Sequence, residues 1–302
     1  MSKLDKEIKD YLAIRRAVGY RLERDGSWLP KFASFLKDRK SEFITTELAL
    51  EWATMAGGSA QRLSMVRGLA KYVQANDPRT QIPPLDLLPR WRSHGTPYIY
   101  SIAEIQGLLT ACRGLKGFLR AYTYETLIGL LAITGMRIGE ALALNRSDIN
   151  EPERIISIRS GKFGKSRDLP LHSTTVAALH AYAERRDLFF AYSESPSFFL
   201  SERGTRLFSQ NVWTDFNHLR QVTKVGRAGL PTPRIHDLRH TFAVRTLLRW
   251  YHAGLDVERQ LTLLSTYLGH VAPSSTYWYL TGTPELLAVA AKRLEKSLGD
   301  IK

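Results

Sequence analysis

Two arginines set in otherwise apolar helical segments are the residues of this sequence with the clearest capacity for chemistry. Arg137 lies in the run TGMRIGEAL and Arg239 in the run HDLRH. A cation in apolar surroundings needs a partner, and a guanidinium, which stays protonated and donates paired hydrogen bonds, suits the nonbridging oxygens of a phosphodiester. For Arg137 the alternative is an ion pair with Glu140, one helical turn further on. Two arginines in such contexts favour a phosphate site.

Histidines accompany these arginines. His236 lies one helical turn before Arg239, so that both side chains share a face, and His270 ends the run LGH. The spacing of His236 and His240 also matches a zinc-binding helix. However, Asp237 stands where that motif carries glutamate, and Arg239 would bring a cation close to the metal. We therefore predict no metal ion here and interpret His240 as a structural residue.

Cleavage of a phosphodiester also needs a nucleophile and a proton donor for the leaving oxygen. Tyr277 and Tyr279, in the run SSTYWYL, are both chemically able to attack phosphorus. Lys162 and Lys165, in the turn SGKFGKS, could each reach a leaving oxygen. The aromatic cluster is equally consistent with core packing, and the lysines with an exposed hairpin. The residues by themselves leave both choices open.

Composition bounds the class of protein and its partner. A chain of 302 residues is long enough for two domains, and its net charge of +14 is spread over both halves. Such a charge favours a polyanionic partner such as DNA. A single cysteine, Cys112, excludes an intrachain disulfide and a cysteine-rich zinc site. The N-terminus lacks the apolar core of a signal peptide and no apolar run could span a bilayer, so we expect a cytoplasmic protein without a membrane partner.

The elements that must position these residues are mostly helical. Residues 1–77 form a first helical domain, and the proline-rich segment 78–97 is an interdomain linker. In the second domain, 98–302, strands at 154–159 and 167–171 flank the lysine-bearing turn. Phe198, Phe199 and Leu200 suggest a further brief strand. Helical spacing and caps predict helices at 4–18, 29–37, 46–55, 59–74, from Ser101, at 125–133, from Arg137 through 144, and at 174–185, 209–223, 236–250, 257–268 and 284–297.

In this order along the chain, the motifs resemble those of the tyrosine recombinases, also called the phage integrase family. The resemblance covers about residues 97–298 and rests on the runs TGMRIGEAL, HDLRH and LGH, on a tyrosine nine residues after His270, and on the hairpin GKFGKSRDLPL. It selects Lys162 over Lys165 and Tyr279 over Tyr277, and it places Glu140 at an acidic position that supports the site. The catalytic residues that it implies are Arg137, Lys162, His236, Arg239, His270 and, as the nucleophile, Tyr279.

The resemblance also implies an architecture. It is a mainly α, two-domain C-shaped clamp, in which residues 1–77 are a helical core-binding domain of the SAM-like type. The catalytic domain, mostly helical with a small antiparallel β-sheet, would follow the linker and end in a helix at about 284–298 that docks on a neighbouring protomer. The chain begins with the first clamp helix, which favours Xer-like or transposon integrases without an arm-binding domain.

The implied activity is that of a site-specific DNA recombinase or integrase. It cleaves and rejoins double-stranded DNA at a specific site by type IB transesterification, through a 3′-phosphotyrosyl intermediate and without a cofactor. Four protomers would act on two duplexes through a Holliday junction, with accessory DNA-bending proteins or a partner recombinase as further partners. The alternatives are a type IB topoisomerase that relaxes DNA and a non-catalytic DNA-binding protein of the same fold.

Overall fold

The computed structural model describes residues 3–20, 22–55, 60–88, 97–159, 166–191 and 194–270, together with 276, 286–288, 291 and 295. The chain divides into two compact units, Met1–Gly95 and Thr96–Lys302. Within the described residues no helix is long and apolar enough to cross a membrane.

The first unit is helical, as predicted. Thr45 begins one of its helices, because the Thr45 side chain accepts a hydrogen bond from the backbone N–H of Leu48. The apolar faces meet in one core that includes Leu29, Phe32 and Leu69. Its helices are α1 (Lys3–Ala17), α2 (Glu23–Asp38), α3 (Thr46–Thr54) and α4 (Ala60–Val73).

The beginning of the predicted linker packs on this first unit. Arg67 donates from its guanidinium to the carbonyl oxygens of Pro83 and Pro84, and Ile82 and Leu88 lie against the helical core. Proline cannot continue a helix, but its carbonyl remains a good acceptor. The boundary between the two units, after residue 95, therefore lies near the end of the segment 78–97 and not at its start.

The second unit combines helices with a three-stranded antiparallel sheet, which confirms the predicted mainly helical fold class. Ser101 starts its first helix through the predicted reciprocal bonds with Glu104. Its helices are α5 (Ile102–Cys112), α6 (Arg120–Thr134), α7 (Ile138–Ala143), α8 (Ser173–Phe189), α9 (Ser209–Val222), α10 (Asp237–His252) and α11 (Val257–Leu268). Its strands, in sheet order, are β1 (Ile149–Asn150), β2 (Ile155–Ile158) and β3 (Arg167–Pro170).

Two details of the sheet differ from the prediction. The strand expected at 198–200 is wrong, since this segment forms only isolated bridges, from Ser197 to Asn145 and from Leu200 to Arg206. Strand β1 was not predicted, because two residues are too short to show a period of two. The bridge from Ser197 joins residues far apart in the sequence, and the pairing of β1 with β2 is too short to give a periodic pattern.

The core of the second unit places α6, α10 and α11 side by side. Helix α6 contributes Leu127 and Ile128 to the main core, while α10 and α11 form an adjoining apolar cluster around Leu247 and Leu261. Leu286 is buried in that same cluster of its own domain. The rest of the predicted terminal helix at 284–298, apart from 287, 288, 291 and 295, lies outside the described residues.

Candidate active site

The site is built at the C-terminal ends of two helices, which both finish on a glycine. Gly135 ends α6 at φ 60° and Gly269 ends α11 at φ 67°, a left-handed conformation that glycine adopts without strain. A Cβ on Gly135 would collide with the ring of Phe242, and a Cβ on Gly269 would lie 2.6 Å from Nη1 of Arg167. Both positions therefore require glycine for conformation and for space.

The two predicted arginines each donate to one of these helix ends. Nη2 of Arg137 donates to the carbonyl oxygen of Gly269 at 2.9 Å. Nη1 of Arg239 donates to the carbonyl oxygen of Gly135 at 2.8 Å, and its Nη2 donates to that of Leu268 at 2.7 Å. The last carbonyl groups of a helix lack intrahelical partners and carry partial negative charge. They thus stabilise the guanidinium of Arg239, a residue that is only 3% exposed.

Glu140 is the carboxylate at the centre of the site. It accepts hydrogen bonds from the backbone N–H of Arg137 at 2.8 Å and from Nη1 of Arg137 at 2.7 Å, so the predicted alternative of an ion pair does form. It also accepts from Nη1 and Nη2 of Arg167, at 3.1 and 2.8 Å. Burial by itself would raise the pKa of Glu140, but the bonds from Arg167 and Arg137 outweigh it and lower the pKa to about 2.

His270 follows directly on the second helix end. Its Nδ1 lies 2.7 Å from Oγ1 of Thr276, a buried hydroxyl. Burial, and then repulsion of the imidazolium by the guanidinium groups of Arg239, Arg137 and Arg167, together lower the pKa of His270 to about 4. The His270 ring is therefore neutral near pH 7.

His236 lies at the start of α10, next to the same group of cations. Its side chain is exposed, and its ring is edge-on to His240 with centroids 5.1 Å apart. The ring loses hydrating water where it faces the protein, and Arg239 repels its protonated form. Both effects lower the pKa of His236. Asp237, fully buried, accepts from the backbone N–H and the guanidinium of Arg234, which fixes the first turn of α10. Among the described side chains, no three histidine, cysteine, aspartate or glutamate residues converge on a metal position.

The chain is similar to known proteins over most of its length. Residues 101–285 match the Phage integrase family. The chain is 43% identical to an inferred integrase/recombinase, y4rB, of Sinorhizobium fredii over 99% of both sequences. This chain belongs to the phage integrase family. It is a tyrosine-type site-specific DNA recombinase.

Two further relatives show how far the likeness extends. The recombinase is 30% identical to the tyrosine recombinase XerD of Mycobacterium tuberculosis, over 78% of this chain and 73% of that one. Its fold is similar to that of the Tn1549 transposon integrase, solved in complex with transposon right end DNA, with a TM-score of 0.63 and 19% identity. That likeness covers 96% of this chain and 99% of the integrase chain.

The structure brings together four of the six residues proposed from the sequence of this recombinase. Arg137, Arg239 and His270 meet at the two helix ends, and His236 faces the same guanidinium groups. Lys162 lies in the segment 160–165 and Tyr279 in the segment 277–285, both outside the described residues.

One residue of the site was missed by the sequence analysis. Arg167 was noted only as part of the hairpin motif, yet its guanidinium bonds to Glu140 and donates from Nε to the carbonyl oxygen of Tyr267 at 2.8 Å. A signal was present, since strand side chains alternate between faces and Arg167 shares its face with the buried Leu169. A charged side chain on the inward face of a strand indicates a partner inside the fold.

Proposed function

We propose that this recombinase cleaves and rejoins double-stranded DNA at a specific site, with Tyr279 as the nucleophile and a 3′-phosphotyrosyl bond as the intermediate. The observation that carries the proposal is the excess of positive charge at the two helix ends. Arg137 and Arg167 share the carboxylate of Glu140, and Arg239 adds a third guanidinium group that, like these two, repels a proton from His270. Glu140 alone does not balance the charge of these arginines, and a phosphodiester that enters the site supplies the missing negative charge.

The arginines stabilise the charge that develops on the phosphate. Against its described partners, Arg137 uses two of the five N–H groups of a guanidinium, and a quarter of its side chain is exposed. The remaining donors can bind the nonbridging oxygens of a pentavalent transition state. Because Arg137 is already held by Glu140 and Gly269, it does not need to reorganise when that charge appears.

The two neutral histidines and Lys162 account for the proton transfers of the reaction. With Nδ1 of His270 accepting from the Thr276 hydroxyl, its Nε2 carries the hydrogen and donates to a nonbridging oxygen. His236, with its lowered pKa, is neutral and accepts the phenolic proton as Tyr279 forms the O–P bond. Lys162 then donates a proton to the 5′-oxygen as its bond to phosphorus breaks. The covalent intermediate conserves the bond energy, so that no nucleotide is consumed.

The charge of the chain and its structural relatives support the proposed partners. The Tn1549 transposon integrase was solved with transposon DNA, and this chain carries a net charge of +14. The helical domain 1–77 acts as the core-binding domain, in which Lys31 and Arg62 lie over the Trp28 ring at 4.7 and 4.2 Å from its centroid. In the cytoplasm, four protomers assemble on two duplexes and exchange strands through a Holliday junction, with accessory DNA-bending proteins or a partner recombinase. Because Leu286 is buried in its own domain, each protomer docks on a neighbour with the part of the helix at 284–298 that follows this residue.

The test is a covalent trapping assay. Nicked suicide substrates are built on the DNA that flanks the gene and are incubated with the protein in EDTA. The wild-type protein should form an adduct attached to the 3′ phosphate, Tyr279→Phe should bind DNA without forming it, and the matched control Tyr277→Phe should still form it. An adduct that persists in Tyr279→Phe, or that requires a divalent metal ion, overturns the mechanism. Plasmid relaxation without partner exchange would assign a topoisomerase instead.

A further inference from the structure

Arg167 joins three parts of the catalytic unit that are distant in sequence. It is the first residue of β3, only 13% of its side chain is exposed, and both terminal nitrogens donate to Glu140 at the start of α7. Its Nε donates to the carbonyl oxygen of Tyr267 in the last turn of α11. Each of its three guanidinium nitrogens thus donates a bond, and together these bonds connect β3, α7 and α11.

We infer that Arg167 is a positioning residue for strand cleavage, which holds Glu140 and, through it, the guanidinium of Arg137 in the orientation that meets the phosphate. The inference rests on the proposed phosphotyrosyl reaction. It adds to that reaction a residue that does not itself touch DNA.

One carboxylate oxygen of Glu140 is shared by Arg137 and Arg167. Oε1 accepts from Nη1 of Arg137 and also from Nη1 of Arg167, while Oε2 accepts from Nη2 of Arg167 and from the backbone N–H of Arg137. The Arg167 fork thereby fixes the plane of the carboxylate. Without it, the carboxylate could turn about its last torsion, which has a broad energy profile, and Arg137 would lose its fixed acceptor.

The link to α11 extends this control to the other side of the site. Arg167 holds the Tyr267 carbonyl, two residues before Gly269, whose own carbonyl accepts from Arg137. The absence of a side chain at Gly269 is what admits the guanidinium, since a Cβ there would lie 2.6 Å from Nη1. Arg167 therefore positions both acceptors of Arg137, the carboxylate of Glu140 and the end of α11.

A purely structural ion pair would be arranged differently. Arg159, directly after β2, forms an ion pair with the buried Asp148, with Nε 2.7 Å from Oδ1, so that one cation faces one carboxylate. At Glu140, two guanidinium groups share one carboxylate beside a third guanidinium, that of Arg239. Crowding cations in this way is unfavourable by itself and becomes favourable when an anion binds among them.

The experiment compares Arg167→Gln and Arg167→Lys with the control Arg159→Gln, which removes an arginine from the Asp148 carboxylate beside the same sheet. Thermal unfolding, DNA affinity and the single-turnover rate of adduct formation at saturating DNA are measured for each. Arg167→Gln should slow adduct formation by about 10- to 100-fold, as loss of a supporting partner does at metal sites, with a much smaller effect on affinity. Arg167→Lys should recover part of the rate, because it keeps the charge but not the fork.

A double variant tests whether Arg167 acts through Glu140. If it does, Arg167→Gln combined with Glu140→Gln should be about as slow as the slower single variant, and the control Arg159→Gln should multiply with either. Adduct formation by Arg167→Gln within about twofold of wild type, full multiplication with Glu140→Gln, or equal losses of affinity and rate without rescue by lysine would overturn the inference. Absence of any adduct from the wild-type protein would instead overturn the proposed function, and this role with it.

Discussion

Arg137 donates from Nη2 to the carbonyl oxygen of Gly269 at 2.9 Å, and this bond joins two short motifs that are 132 residues apart in the sequence. Arg239 connects α10 to both helix ends, through the carbonyl oxygen of Gly135 at the end of α6 and that of Leu268 at the end of α11. Each arginine is thus oriented by a helix end outside its own motif. The site forms only when α6, α10 and α11 are packed together, which couples its chemistry to the stability of the domain.

Replacement of Gly269 by alanine should destabilise the protein and slow cleavage. Alanine at φ 67° is strained by about 1–2 kcal/mol, and its Cβ would push on the Arg167 guanidinium. Gly254 offers the matched control, since it has φ 72° but nothing lies within 4 Å of its Cβ position. Urea unfolding should therefore show a larger loss of unfolding free energy for Gly269→Ala than for Gly254→Ala. Equal losses would mean that the contact with Arg167 is unimportant.

Arg239→Lys should remove more stability than a conservative change ordinarily does. The guanidinium fork satisfies two carbonyl groups, of Gly135 and Leu268, and a lysine ammonium cannot match that geometry. A buried acceptor left without a donor costs about 1–3 kcal/mol. Arg249→Lys, at an exposed position of the same helix, should be almost neutral in chemical denaturation. If Arg239→Lys lost as little unfolding free energy as the control, the bonds of Arg239 to the two helix ends would not stabilise the fold.

The free energy of unfolding should decrease as the pH falls through the range in which the histidines take up protons. Because burial and the neighbouring guanidinium groups lower the pKa of His270 from 6.5 to about 4, the unfolded chain binds more protons than the folded one between these values. The free energy of unfolding therefore decreases as the pH drops from 6.5 towards 4. Urea unfolding at about pH 7 and about pH 5 should show this decrease.

His270→Gln should make that decrease smaller without abolishing it, because the pKa of His236 is lowered as well. His252, which is exposed at the end of α10, provides the control, and His252→Gln should keep the wild-type slope. Identical slopes in His270→Gln and the wild-type protein would show that the fold does not hold this ring neutral.

Arg67→Met should loosen the segment that follows the first helical domain. Arg67 supplies the donors for the carbonyl groups of Pro83 and Pro84. Without them the segment should open more often, and limited proteolysis between residues 80 and 88 should become faster. Lys71→Met, an exposed cation on the same helix, should leave the cleavage rate unchanged. If both variants are cut alike, the bonds to the proline carbonyls do not hold the segment.

Many helices of this recombinase could be predicted because the sequence signals for them are local. The capping pair Ser101 and Glu104, and the glycines at 135 and 269, act on residues three to five positions away, so a linear sequence displays them. The same holds for the apolar period of helices such as α4 and α11, whose bounds the prediction met within a residue or two.

The tertiary structure alone decided what depends on distant contacts. The sequence shows Arg137, Glu140 and Arg167 as charged residues, but not that one carboxylate serves two guanidinium groups. Nor does proline content reveal that Ile82 and Leu88 pack on the first helices. Helix periods and caps are set by bonds within a few residues of the chain. The division of Glu140 between two arginines depends on where β3, α7 and α11 meet, and that is fixed by the packing of the whole domain.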